Sequence, residues 1–236
     1  MLAILRREFN AYFSSAIGYV FLAMFYVISG FFFYISSLAN STASMTGFFS
    51  NMFLLIMFIL PILTMRLLSE DKKQKTDQLL LTAPVSLFSM VLGKYFAACI
   101  IYAMGLAVTV LYAIVLATFT VIEWAAIFGS IIGLLLMGMA LIAVGMFISS
   151  LTENQVVAAI AGFVVMLLLY LIDSLASIIS GLVPVAADVL YGLSFQQRYN
   201  TFAYGIFDFA SIFFFLSFAA VFIYLTVRVF EKRRWS

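Results

Sequence analysis

The chain has 236 residues, 66% of them hydrophobic and only 9% charged, with a formal net charge of +2. A soluble domain carries roughly 25% charged residues, so most of this surface must face lipid, and the small net charge without a single basic patch excludes nucleic acid as a partner. Histidine is absent and Cys99 is the one cysteine, which removes the usual neutral-pH base, the commonest transition-metal ligand and any intrachain disulfide.

Residues 1–15 are predicted to form an amphipathic elbow helix. Leu2, Leu5, Phe9, Tyr12 and Phe13 recur at helical spacing, while Arg6, Arg7, Asn10 and Ser14 lie elsewhere. Such a helix lies in the inner interface of a membrane; the alternative is a frayed polar tail. The apolar run from Ala16 to Ser37 follows. At about 22 residues it exceeds the about 7–15 of a signal peptide's apolar core, so it reads as a retained spanning helix.

Five further apolar stretches are long enough to cross a bilayer, giving spans at about 16–37, 48–68, 88–119, 125–149, 156–174 and 209–228. Pro61, near the middle of the second, removes an internal hydrogen bond and predicts a kink. The fourth carries Gly129, Gly133, Gly138 and Gly145, with a GxxxG spacing at the first two; Ala158 and Gly162 repeat that spacing in the fifth. These small residues permit close helix approach, within one bundle or at a dimer seam. Between the fifth and sixth spans, 175–208 is apolar with interruptions, and Pro184 breaks it. Two short helices at or dipping into the outer leaflet are expected there.

Charge sets the orientation. Eleven of the twelve Lys and Arg residues fall at Arg6–Arg7, from Arg66 to Lys94, and from Arg228 to Arg234; Arg198 is the exception. Lys and Arg are retained on the cytoplasmic side. Six crossings with both termini inside put 69–87 and 150–155 in the cytoplasm and leave only Arg198 outside.

The spans hold almost no charge at mid-depth. Lys94 lies near the start of the third and is expected to snorkel to the interface. A proton- or cation-driven transporter needs acids or bases within the membrane, so the sequence disfavours one. No Ser–His–Asp set, GxSxG or HExxH occurs, which leaves no candidate catalytic, cofactor or metal residue. No GxxxxGK[ST] loop occurs either; any ATP used must be bound by another chain.

The segment 69–86, SEDKKQKTDQLLLTAPVS, concentrates charge: Glu70, Asp71, Lys72, Lys73, Lys75 and Asp77. Asp71 and Lys75 stand at i,i+4 in the favourable order for a helix. Leu79, Leu80 and Leu81 offer an apolar surface before Pro84. A short helix of this kind suits docking into a groove on a soluble protein; a solvated loop that only fixes topology is the plainer alternative.

The stretch from Pro61 to Ser86 resembles the signature of ABC-2 type permeases, the six-helix membrane subunits of bacterial ATP-driven exporters. Pro61, Met65, Arg66, Glu70, Thr76, Leu79, Leu80, Leu81, Pro84, Val85 and Ser86 carry the match. Lys75 and Gln78 depart from it, standing where glycine and glutamate are usual. GMFISSLTENQVVAA, from Gly145 to Ala159, is similar to the family's turn between helices four and five. YNTFAYGIFDFASIFFFLSF and RVFEKRRW resemble the gliding-motility-associated subgroup.

The resemblance implies an all-α polytopic membrane protein forming one domain over 1–236, with an elbow helix at 1–15, a coupling helix at 69–86 and outer re-entrant helices in 175–208. It implies a multi-pass subunit of the bacterial cytoplasmic membrane, not itself an enzyme. Glu70, Asp71, Thr76, Leu79, Leu80, Leu81 and Pro84 would dock a cytoplasmic P-loop ATPase, with Thr152, Glu153, Asn154 and Gln155 as a lesser contact. ATP and Mg would sit on that partner. A second permease, as homodimer or heterodimer, would complete the pathway, and an accessory extracellular protein would join in some systems. Two other readings stand beside export: a membrane subunit passing ATPase motion to a surface machine, and an ATP-independent channel.

Overall fold

The computed structural model describes residues 1–40, 44–73, 86–181 and 183–234, and all regular structure among them is helical. Helix α1 spans Leu2–Ser14, and Ser15 turns the chain into α2, Ala16–Phe33, whose end widens into a π-helical turn at Tyr34–Leu38. Next come α3 (Thr46–Thr64), α4 (Arg66–Lys73), α5 (Leu87–Ala117), α6 (Trp124–Leu151) and α7 (Gln155–Ile179). Two short helices, α8 (Pro184–Leu193) and α9 (Phe195–Ala203), precede α10 (Phe209–Arg234).

Six stretches are long and apolar enough to cross a membrane: Ala16–Leu38, Thr46–Lys73, Leu87–Ala117, Trp124–Leu151, Gln155–Ile179 and Phe209–Lys232. The protein is therefore a multi-pass, all-α membrane protein. The predicted spans coincide with these, but the structure lengthens most of them. Span five runs five residues past the expected 174, because the apolar sequence through Ile179 stays helical.

Small polar residues cap the starts of four helices. The Ser86 hydroxyl accepts from Ser89 N at 3.3 Å before α5, and Asn154 Oδ1 accepts from Val156 N at 2.9 Å before α7. Ser194 accepts from Gln197 N at 3.2 Å before α9. Asp208 accepts from Ala210 N at 3.0 Å and Ser211 N at 3.1 Å before α10. Each satisfies amide donors that a helix start leaves without an intrahelical acceptor. Pro184 opens α8 at a position where its missing N–H costs nothing.

Helix α6 is the central post, packing against α3, α4, α5, α7, α9 and α10. Its glycines serve that role. A Cβ on Gly133 would lie 2.8 Å from Phe202 Cβ and 3.0 Å from Tyr199 Cδ2, and one on Gly129 would collide with the Phe202 backbone. The GxxxG spacing therefore seats α9 within the same chain rather than forming a dimer seam. Ala158 is buried, and a Cβ on Gly162 would touch Pro61 at 3.6 Å, so the matching pair in α7 faces α3. By contrast Val156, Ile160, Val164, Leu168, Leu175 and Ile178 of α7 are exposed, an apolar face for lipid or another chain.

Helix α3 continues through Pro61. An interruption comes at Met65, whose N–H still reaches the Pro61 carbonyl at 2.9 Å, and α4 resumes at Arg66. Span two is thus a long helix with its break displaced towards one end.

Candidate functional site

The described part of the sequence-predicted docking region is α4 together with the turn between α6 and α7. Thr76, Leu79, Leu80, Leu81 and Pro84 lie outside the described residues, as does Lys75 of the expected Asp71–Lys75 pair. Glu70 and Asp71 lie on α4, and Thr152, Glu153, Asn154 and Gln155 form the exposed or half-exposed turn that ends α6 and starts α7. Two hydrogen bonds fix that turn: Asn154 N donates to Thr152 Oγ1 at 3.1 Å, and Val156 N to Asn154 Oδ1 at 2.9 Å.

Helix α4 is bonded to the neighbouring helices on several sides. Its first-turn amides, from Leu68 and Ser69, donate to the Ser149 hydroxyl of α6 at 3.1 and 3.0 Å. Ser149 in turn donates to the Met65 carbonyl at 2.9 Å. One buried hydroxyl thus caps α4 from another helix and bridges the break after α3. Lys72 is buried as well and donates to the Ser150 carbonyl. It locks α4 to the end of α6 instead of standing in solvent as its sequence neighbours suggested.

The third anchor is Lys94. The expected snorkelling does not occur: the side chain is 2% exposed, and Nζ lies 2.9 Å from Glu8 Oε2 of α1 and 2.7 Å from Asp71 Oδ2 of α4. An ammonium held in that environment needs partners, since an unpaired buried charge is severely destabilising. The two carboxylates supply them from separate elements, so one cation ties α1, α4 and α5 together. Arg7 Nη2 reaches Glu8 Oε1 at 2.6 Å, and that hydrogen bond raises the Arg7 pKa further. Arg66 pairs with Glu70 one turn along α4 and also donates to Ser15 at the α1–α2 corner.

Packing reinforces the ion pairs. A Cβ at Gly93 would lie 3.0 Å from Ile4 Cγ2, so the glycine lets α1 lie close along α5. The buried Tyr12 hydroxyl donates to the Leu63 carbonyl at 3.0 Å. Burial raises its pKa, which keeps it a neutral donor. Phe9 and Phe13 pack on the protein core rather than facing only the membrane interface, whereas Leu2 is exposed and Ile4 takes an inward place. A cavity of about 240 Å³ remains between α1 and α4, lined by Arg7, Glu8, Tyr12, Arg66, Asp71 and Lys94 among others.

The structure therefore brings Glu70 and Asp71 together with residues that sequence reasoning did not assign to the site: Glu8, Arg66, Lys72, Lys94 and Ser149. Lys94 offered the one usable signal, as a lone charge in an otherwise apolar 31-residue helix. Among the described residues no group of His, Cys, Asp and Glu could hold a metal ion. What the arrangement can do is mechanical: a force on the chain beyond Lys73 reaches α3, α1, α5 and α6 through bonded contacts.

Comparison with protein families matches the chain, over residues 35–187, to the family described as ABC-2 family transporter protein. A search of individually curated proteins finds no match. The matched region runs from the end of span one, through α4 and the α6–α7 turn, into α8.

Proposed function

The chain belongs to the ABC-2 transporter family as a membrane subunit, and on that premise we propose that it exports a substrate using ATP hydrolysed by a separate P-loop ATPase. The carrying observation is the rigid end of span two. α4 is braced by Lys94, Lys72 and Ser149, and in the sequence it precedes the leucines at 79–81 by five residues. Family membership implies association with an ATPase subunit and pairing of two membrane subunits in general.

In this reading both termini, α4 and the 152–155 turn are cytoplasmic in a bacterial inner membrane, consistent with the clustering of basic residues. Thr76, Leu79, Leu80, Leu81 and Pro84 form the coupling surface. Glu70 and Asp71 set its approach from the inner side, and Thr152, Glu153, Asn154 and Gln155 add a lesser contact. ATP and Mg²⁺ belong to the partner. When the ATPases close, α4 moves with them. Because α4 is bonded to α1, α5 and α6, these helices shift as one body and change the pathway between two permeases. The resemblance of Tyr199–Phe218 and Arg228–Trp235 to gliding-associated permeases favours, as the second reading, delivery of that motion to an accessory extracellular or surface assembly.

Affinity purification from native membranes tests the partner. The intact chain is expected to retain a P-loop ATPase, and Leu80→Asp to lose it while still inserting in the membrane. Recovery of the chain with no ATPase would favour the ATP-independent channel.

A further inference from the structure

Helix α1 has two faces of different character. Its one acid, Glu8, is turned inward, where Oε2 meets Lys94. On the outward face an open depression of about 480 Å³ is lined by Leu2, Ala3, Arg6, Arg7 and Asn10. At about 100° per residue, Ala3 and Asn10 fall between Arg6 and Arg7 around the helix axis. The two arginines therefore flank the depression, and Ala3 keeps its floor low. Arg6 and Asn10 are exposed, and among the described residues neither side chain has a hydrogen-bond or charged partner. Arg7 uses Nε and Nη2 on Glu8 Oε1, and its side chain is 54% exposed. Around the axis, Leu2 and Phe13 follow on from Arg6 on the side away from Arg7, and Leu2 is 79% exposed. The outward face thus grades from basic to apolar.

The contacts that hold α1 fix its level. Ile4 lies against Gly93 and Glu8 against Lys94, both in the second turn of α5, and Tyr12 donates to the Leu63 carbonyl in the last turn of α3. Successive turns of α1 rest on the ends of different spans. The helix therefore lies across one end of the bundle, at the depth of lipid headgroups, and not along a span.

We propose that this face binds an anionic phospholipid, with the phosphate between Arg6 and Arg7, the Asn10 amide donating to it and an acyl chain beside Leu2. A guanidinium's planar set of N–H donors suits phosphate oxygens, and basic residues at a membrane surface attract anionic lipid. The inference goes beyond the coupling role of α4; only the assignment to the inner leaflet rests on the orientation proposed above. Free phosphate carries the same oxygens. The apolar edge at Leu2 and the level of the helix select the lipid.

Native mass spectrometry of the full chain in detergent, titrated with dioleoyl phosphatidylglycerol or dioleoyl phosphatidylcholine, tests the assignment without any ATPase. Phosphatidylglycerol should bind more tightly and should raise the thermal unfolding midpoint. Arg6→Gln should weaken phosphatidylglycerol by about fivefold, the effect of one basic residue at an anionic surface. It should also remove most of the stabilisation and leave phosphatidylcholine unchanged. Arg6→Lys keeps the charge and should retain more of the affinity. Lys232→Gln removes an exposed basic residue of α10, outside this face, and should bind phosphatidylglycerol as wild type does. Equal binding of the two lipids to wild type would overturn the proposal, as would equal weakening by Arg6→Gln and Lys232→Gln. So would inorganic phosphate binding as tightly as phosphatidylglycerol.

Discussion

Lys94 is the only charged residue in the 31-residue α5, and its two carboxylate partners come from α1 and α4. Removing one member of a buried ionic set leaves the others uncompensated, a loss of about 3–5 kcal/mol for a fully buried pair. Glu8 and Asp71 keep some exposure, so Lys94→Met is expected to destabilise the fold by about 2–3 kcal/mol. Adding Glu8→Gln and Asp71→Asn should restore most of it. Chemical unfolding of the three proteins in micelles measures both effects, and a Lys94→Met protein as stable as wild type would contradict the burial of the ammonium. Ser149→Ala deletes a hydroxyl that accepts two α4 amides and donates to Met65. The expected cost is about 1–3 kcal/mol, and hydrogen exchange at the Leu68 and Ser69 amides should speed up. Protection unchanged at those two amides would remove Ser149 from its capping role.

At the scale of elements, α6 accepts its neighbours through small residues, and the fit of α9 depends on Gly129 and Gly133. Gly133→Val should push α9 away and cost about 1–3 kcal/mol by overpacking, without altering how many copies of the chain associate. Loss of a dimer with the unfolding midpoint unchanged would return Gly133 to an interchain seam.

The elements themselves were legible in the sequence. Long apolar runs can satisfy their backbones in lipid only as helices, and Pro184 marked the start of α8; the serine and aspartate that cap α9 and α10 were not singled out. Pro61 pointed to a disturbance within span two, but the break that follows it carried no mark of its own in the sequence. The helix absorbs Pro61, however, and the turn falls at Met65, where Ser149 can satisfy the freed groups. The candidate site was only half legible. Glu70 and Asp71 stood out as charges beside a span, but a contact joining positions 8, 71 and 94 leaves no mark on local periodicity. A serine capping another helix likewise looks like any small residue within an apolar run.

For the whole molecule, the even number of spans puts both termini and α4 on one face, and the proposed orientation, which follows the clustered basic residues, makes that face cytoplasmic. Asn200 on α9 is exposed and belongs to the opposite face. In a Cys99→Ala background, Asn200→Cys should react with an impermeant thiol reagent added to intact cells, and Glu153→Cys only after lysis. The reverse pattern would invert the orientation.

The central claim is that α4 and the leucines after it form a lever worked by a cytosolic ATPase. Its most direct test is ATP hydrolysis by the reconstituted assembly, measured with the wild-type chain and with Leu80→Asp at equal membrane content. The account predicts hydrolysis that depends on the wild-type chain and falls to the level of the ATPase alone with Leu80→Asp. Equal, undiminished stimulation by both chains would contradict it.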